Sequence, residues 1–277
     1  MKTAPALPSR VPQGISCTAH SHGTEVREVH TRLLRMALAP EESRAYWEHV
    51  RPEVPPDQRA VVAFEERWFG NKSMARVREL LATFRHRFDA YPMALEVLRH
   101  WRPSDPATRL NLCHWHMQLT DPLYRAFTGT FLEQRHLRPQ PSVDRDVTVR
   151  WMHQMFDGRW GSATVIRMAT GLLTCATAAG LCTPGTKGRR LTSPKVTDDA
   201  LAYLLYLLRS MTFEGSLLDN PYLASVGLTG GVLEQRLRRL PGMAFRRMGE
   251  LWDFGWQYAD LQAWAQHTLA LPWEEGA

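Results

Sequence analysis

The pattern of apolar and polar positions is that of a helical chain punctuated by proline and glycine. From residue 24, Val26, Val29, Leu33, Leu34 and Met36 recur at helical spacing up to Pro40. Residues 41–50 read as a short second helix, and Pro52, Pro55 and Pro56 then interrupt the chain. A third helix is expected over 56–69, since proline is tolerated in a first helical turn. After the turn 70–73, with Ser73 as a candidate N-cap, Val77, Leu80, Leu81, Phe84 and Phe88 form a single buried stripe. Arg76 and Arg87 flank it on one side, Arg78 and Arg85 on the other. Pro92 ends or bends this element, and 93–101 continues it. Helices are further expected at 107–119 and 122–137, the latter opened by Asp121 and Pro122.

The proline-rich stretch 138–141 is the expected domain boundary. It would separate an N-terminal helical domain (24–138) from a C-terminal winged-helix-like domain with a helical tail (142–277). Residues 1–23 read as a flexible lead-in. In the second part, 142–156 is helical, 157–161 is a tight loop, and a helix capped by Ser162 follows. Glycine and threonine punctuate 180–188, and 189–197 is placed as a short hairpin or wing. Residues 198–210 are apolar almost all round, as in a buried helix, and 212–231 read as mostly irregular. A basic helix is expected at 232–240 and one or two tryptophan-rich helices within 248–269. The fold class is therefore mainly all-α, a helical bundle with helix-turn-helix or winged-helix elements and a short β-hairpin wing.

Two segments suggest binding chemistry. Over 142–197 the order is helix, turn, helix, glycine-containing exit, basic hairpin, the outline of a winged helix-turn-helix. Val165, Ile166, Ala169, Leu172, Leu173 and Ala176 make the apolar arc of its second helix. The opposite arc holds Ala163, Thr164, Arg167, Thr170, Gly171, Thr174 and Ala178, a slim face with a few donors suited to a major groove. Lys187, Arg189, Arg190 and Lys195 would meet phosphate from the wing. The same small-residue face would equally suit packing against a neighbouring helix. In the second segment, 56–88, Lys72, Arg76 and Arg78 stand at the start of a helix, where free N–H groups also favour phosphate. A solvated flank of an amphipathic helix fits that pattern too.

Charge sharpens this picture only by position. The 277 residues carry 34 Lys+Arg against 28 Asp+Glu, a formal net charge of +6. Lysine stands only at Lys2, Lys72, Lys187 and Lys195, so nearly all the basic residues are arginine, as a GC-rich coding sequence would also produce. The basic cluster Arg236, Arg238, Arg239, Arg246 and Arg247 reads as a solvated or partner-facing surface. Cys113, His114 and His116 lack the spacing and the second cluster of a zinc site, and hydrogen-bonded histidines account for them. No phosphate-binding loop, dinucleotide fingerprint, nucleophile elbow or metalloprotease motif occurs. Neither a metal, a cofactor nor a small-molecule substrate is expected. Four scattered cysteines, an N-terminus with no apolar core and no long apolar run point to a cytoplasmic protein without a membrane segment.

The residues Asn71-Lys72-Ser73, Arg76, Arg87-Phe88, Tyr91-Pro92, Asp121-Pro122-Leu123-Tyr124-Arg125 and Phe127 resemble the BrxA family of the BREX phage-exclusion systems. So do Trp160, Ala163-Thr164, Leu172-Leu173 and Ala179-Gly180-Leu181, and the resemblance runs from about residue 24 to 210. It implies a mainly helical protein, related in part to the NusB-like bundle, that binds double-stranded DNA. The implied role is a non-enzymatic accessory one beside a methyltransferase and ATPases. Carried over by motif, DNA contacts fall on Lys72, Ser73, Arg76 and Arg78, and on Ser162, Thr164, Arg167, Arg189, Arg190 and Lys195. A protein scaffold of the defence complex and an RNA-binding NusB-like protein are the alternative readings.

Overall fold

Residues 24–31 form no helix, although their apolar spacing predicts one. The computed structural model of the chain describes residues 23–35, 37–185, 188–248 and 251–269, and in it this segment runs extended to a single 3-10 turn at Arg32–Leu34. Its backbone groups are taken by distant partners: Glu25 N donates to Thr212 O and Val26 N to Leu119 O. The carboxylate of Glu25 is buried, accepts from Tyr222 Oη at 2.5 Å and Glu214 N at 2.9 Å, and lies 3.5 Å from Arg125 Nε. Tertiary hydrogen bonds satisfy the backbone, so the local helical preference is overridden. Residues 1–22 of the expected lead-in, Met36 and Lys187 lie outside the described residues.

The next elements follow the prolines and caps. They are α1 (Pro40–His49), α2 (Arg59–Glu65), α3 (Met74–Phe84) and α4 (Pro92–Trp101). Ser73 Oγ accepts from Arg76 N at 3.3 Å and caps α3 as expected. A π-helical turn at Arg85–Asp89 prolongs α3 and shifts its register by a residue, so that Arg87 and Phe88 both turn inward. Arg87 is therefore buried rather than on the solvated flank, and its guanidinium donates to Leu38 O and Ala37 O at 2.7 and 2.9 Å.

The central helix is α5 (Pro106–Thr120), started by Asp105, whose carboxylate accepts from Thr108 N. Its polar residues Asn111, His114, His116, Gln118 and Thr120 are all buried, so each must find a partner inside. His114 hydrogen-bonds with Tyr124 Oη at 2.9 Å and Ser225 Oγ at 2.8 Å; His116 bonds with Tyr203 Oη at 2.7 Å and Arg87 O at 3.3 Å. Burial pushes both imidazoles down to about 3. Asp121 then starts a continuous helix made of α6 (Pro122–Ala126), a π-helical stretch Phe127–Leu132 and α7 (Glu133–His136).

The second part begins with β1 (Ser142–Val143), α8 (Arg145–Met155), α9 (Ser162–Ala178) and β2 (Arg189–Arg190). Strand β2 pairs antiparallel with β1, Ser142 opposite Arg190, and the neighbouring Leu191 bridges to Cys182. Strand, helix, helix, then a strand pair returning to the first strand is the order of a winged helix-turn-helix. Antiparallel contacts here join 181–183 to 190–192, so the hairpin expected over 189–197 does not form. Pro194 has no N–H to offer a ladder, and Thr197 is already committed as the cap of the following helix.

That helix, α10 (Asp198–Arg209), is buried from Ala200 to Leu208 and packs on α5. After α11 (Pro221–Ala224) and α12 (Gly230–Leu237), the expected tryptophan-rich helices give way to a hairpin, β3 (Met243–Met248) with β4 (Leu251–Trp256). Phe254 and Trp256 share one face with Phe245, ring centroids 5.4 to 5.6 Å apart, a period of two that the i,i+4 spacing of Trp252 and Trp256 disguises. Only 261–268 is helical, as α13 (Leu261–Thr268). One contiguous set of buried side chains runs from Leu33 to Ala265, so the regions on either side of 138–141 share a core.

Candidate nucleic-acid interface

Helix α9 is held by its inward residues Val165, Met168, Ala169, Leu172, Leu173, Cys175 and Ala176, all buried. Trp151 of α8 packs over Phe131 and Phe127 at 5.0 and 5.5 Å, which fixes α8 to the helix before it. Gly161, not Ser162, occupies the cap position of α9; Ser162 is the first helical residue and makes no capping bond. The apolar arc expected from the sequence needs correction at Ile166, which lies 44% exposed and outside the core. Ser162, Ala163, Ile166, Arg167, Thr170 and Thr174 are exposed along the outer side, and Thr164 is half-buried.

Two of the three threonines of that side, Thr170 and Thr174, use their hydroxyls on their own helix. Thr170 Oγ1 donates to Ile166 O at 2.9 Å, and Thr174 Oγ1 donates to Thr170 O at 2.8 Å. Their hydroxyl protons are occupied, so the slim face is less rich in donors than its composition suggests.

An open groove of about 580 Å³ follows this face. Ile166, Arg167, Thr170, Gly171 and Thr174 form one side; Leu33, Leu34, Arg35 and Ala37 the other; Arg76 and Glu79 of α3 close it. Gly171 lies against the arm, where a Cβ would meet Leu33 O at an ordinary 3.4 Å. Arg159 Nη2 donates to Val29 O at 2.8 Å, tying the loop before α9 to the same arm. The groove therefore joins Arg76 and Arg167, expected from two separate helix-turn-helix units, and adds Arg35. Sequence reasoning passes over Arg35 because it stands in an expected amphipathic helix beside Leu33 and Leu34.

The remaining expected residues scatter around this centre. Ser73 is spent as the cap of α3, and Lys72 Nζ faces Glu42 at 3.2 Å. Arg76 itself pairs with Glu79 at 2.9 Å. Arg78 lines a different cleft with Arg59, Arg85 and Asp57. Arg189 is half-buried and Arg190 exposed, both on the wing strand. Lys195 is exposed in the connector to α10, where its carbonyl accepts from Asn111 Nδ2 at 2.9 Å, so it does not belong to the wing. Among the C-terminal arginines, Arg236 pairs with Asp198 at 2.6 Å and Arg247 with Glu234 at 2.7 Å. No group of three or more His, Cys, Asp or Glu side chains with metal-binding geometry exists among the described residues. No helix among them is long and apolar enough to cross a membrane.

The described residues thus form a mainly helical protein with two small two-stranded antiparallel sheets, in which β1, α8, α9 and β2 follow one another in the order of a winged helix-turn-helix. Among solved structures, the chain is similar to the crystal structure of an uncharacterized protein from Magnetospirillum magneticum, with a TM-score of 0.54 at 15% sequence identity. The match covers 72% of this chain and 98% of that one, a likeness of fold alone. No protein-family model and no curated protein matches the chain.

Proposed function

We propose that this protein binds double-stranded DNA without enzymatic activity, as an accessory factor of a BREX-type phage-defence system. The groove on α9 is the observation that carries the reading: Arg35, Arg76 and Arg167 surround the outer face of the second helix of a winged helix-turn-helix. In that architecture the second helix enters the major groove and flanking cations hold the backbone. Three guanidiniums around one face, against the single carboxylate of Glu79, favour a polyanion. The BREX role itself rests on the residue pattern from Asn71 to Leu181.

The test is fluorescence anisotropy with mixed-sequence duplex over a salt series. Binding is expected to weaken steeply with salt, because each neutralised phosphate releases counterions. No duplex binding at low salt would overturn the reading, and preference for structured RNA of equal length would transfer it to RNA. A methyltransferase gene and a large ATPase gene beside this one are expected if the phage-defence role holds.

A further inference from the structure

We infer that the outer face of α9 reads thymine through its C5-methyl group, an inference that rests on the duplex-binding reading above. Hydrogen-bonded base selection from this face falls to the exposed Arg167, and the positions next to it offer little of that kind. Here the hydroxyls of Thr170 and Thr174 donate to the carbonyls of Ile166 and Thr170. Beside them stands Ile166, 44% exposed and able to offer only methyl and methylene groups.

The position of this apolar stripe identifies its occupant. Ile166 and Arg167 lie in the first two turns of α9, the part of a recognition helix that reaches base edges. Arg35, Arg76 and Arg167 line the same groove beside Leu33, Leu34 and Ala37, and their charge, against the one carboxylate of Glu79, favours a polyanion as the partner of Ile166. Within the major groove thymine alone among the four bases presents a methyl group, and aliphatic side chains recognise it by exclusion of water. A cytosine or guanine edge opposite Ile166 would lose hydrogen bonds to water with nothing in return.

The experiment compares two otherwise identical random-sequence duplex pools, one with thymidine and one with deoxyuridine in its place. The exchange removes only the C5-methyl group. The thymidine pool is expected to bind more tightly, by about fourfold for each methyl group buried. Ile166→Ala and Thr170→Ser should each reduce the preference, while Thr170→Val, which keeps the methyl and drops the hydroxyl, should retain it. Ile166 and Thr170 are exposed, so these changes leave the core intact, which thermal unfolding of each variant checks. Equal affinity for both pools, with salt-dependent binding intact, would overturn this inference and leave duplex binding standing. A preference that survives both Ile166→Ala and Thr170→Ser would overturn the assignment to this face. No binding to either pool would overturn the duplex-binding reading and this inference with it.

Discussion

Arg76 of α3 and Arg167 of α9 line the same groove, although one belongs to each of two helix-turn-helix-like segments far apart in the chain. The arm through Leu33 and Arg35 lines that groove together with both helices. Replacing either arginine by alanine is expected to weaken duplex binding similarly on all sequences. The slope of log affinity against log salt should fall by about 0.9 for each phosphate that the variant no longer neutralises, read by anisotropy at several salt concentrations.

Glu79 holds Arg76 at 2.9 Å and competes with any phosphate for it. Glu79→Gln is therefore expected to tighten duplex binding by up to about fivefold, the upper range for an exposed ion pair of about 1 kcal/mol. The change should vanish in an Arg76→Ala background, which a double-mutant cycle measures.

Two glycines should respond in opposite directions. A Cβ at Gly129 would stand 2.4 Å from Pro221 Cβ and 2.5 Å from Pro221 O, so the backbones would have to separate. Gly129→Ala is expected to destabilise by about 1–3 kcal/mol or more. At Gly171 the nearest atom is an ordinary 3.4 Å away, and alanine gains helix propensity. Gly171→Ala should be neutral or stabilising by up to about 1 kcal/mol. Urea denaturation of both variants checks the pair.

The buried histidines set an acid limit on stability. His114 and His116 are pushed down to about 3 in the folded chain, whereas an unfolded histidine titrates near its ordinary 6.5. Between these values the unfolded state binds more protons, so this contribution is complete above about pH 6.5 and is lost as pH falls toward 3. Each histidine contributes a slope of about 1.4 kcal/mol per pH unit in that window. Asp121, whose burial raises its carboxyl, acts in the opposite sense, one group against two. Urea midpoints should fall from pH 7 to pH 5, and His114→Gln should flatten that fall.

Cysteine reactivity offers a further check on the packing. Burial pushes the thiols of Cys113 and Cys175 up to about 11 and about 12, and raises that of Cys182 as well. A thiolate is the reacting species, so in a Cys17→Ser variant no cysteine should label rapidly at pH 8 in the native state. Three should label once the chain is unfolded in denaturant.

Much of the scaffold was legible residue by residue. Ser73 and Asp121 cap helices where the sequence places a cap, and Pro122 sits in a first helical turn; Asp105 and Thr197 cap helices, and Pro40, Pro92 and Pro106 open them, at positions read as helix ends, connector or hairpin. These are local effects, settled within four residues, and sequence is sufficient for them. The candidate site was legible in part: Arg76, Arg167 and the slim threonine face could be chosen from helical spacing alone. Arg35 and Ile166 could not, because one lies in an arm and the other flanks the core by a fraction of a turn.

Caps, prolines and apolar period together dictate the helical class, most helix boundaries and the order helix, turn, helix, wing. Folding alone decided the non-helical path of residues 24–31, the inward turn of Arg87, the β-hairpin of 243–256 and the pairing of β2 with β1. In each of these the backbone or a side chain takes a partner distant in sequence, as Glu25 takes Tyr222, and such a partner outweighs the few tenths of a kcal/mol by which local preference is set. The groove that joins Arg35, Arg76 and Arg167 is a consequence of that path: it exists because the arm did not become a helix.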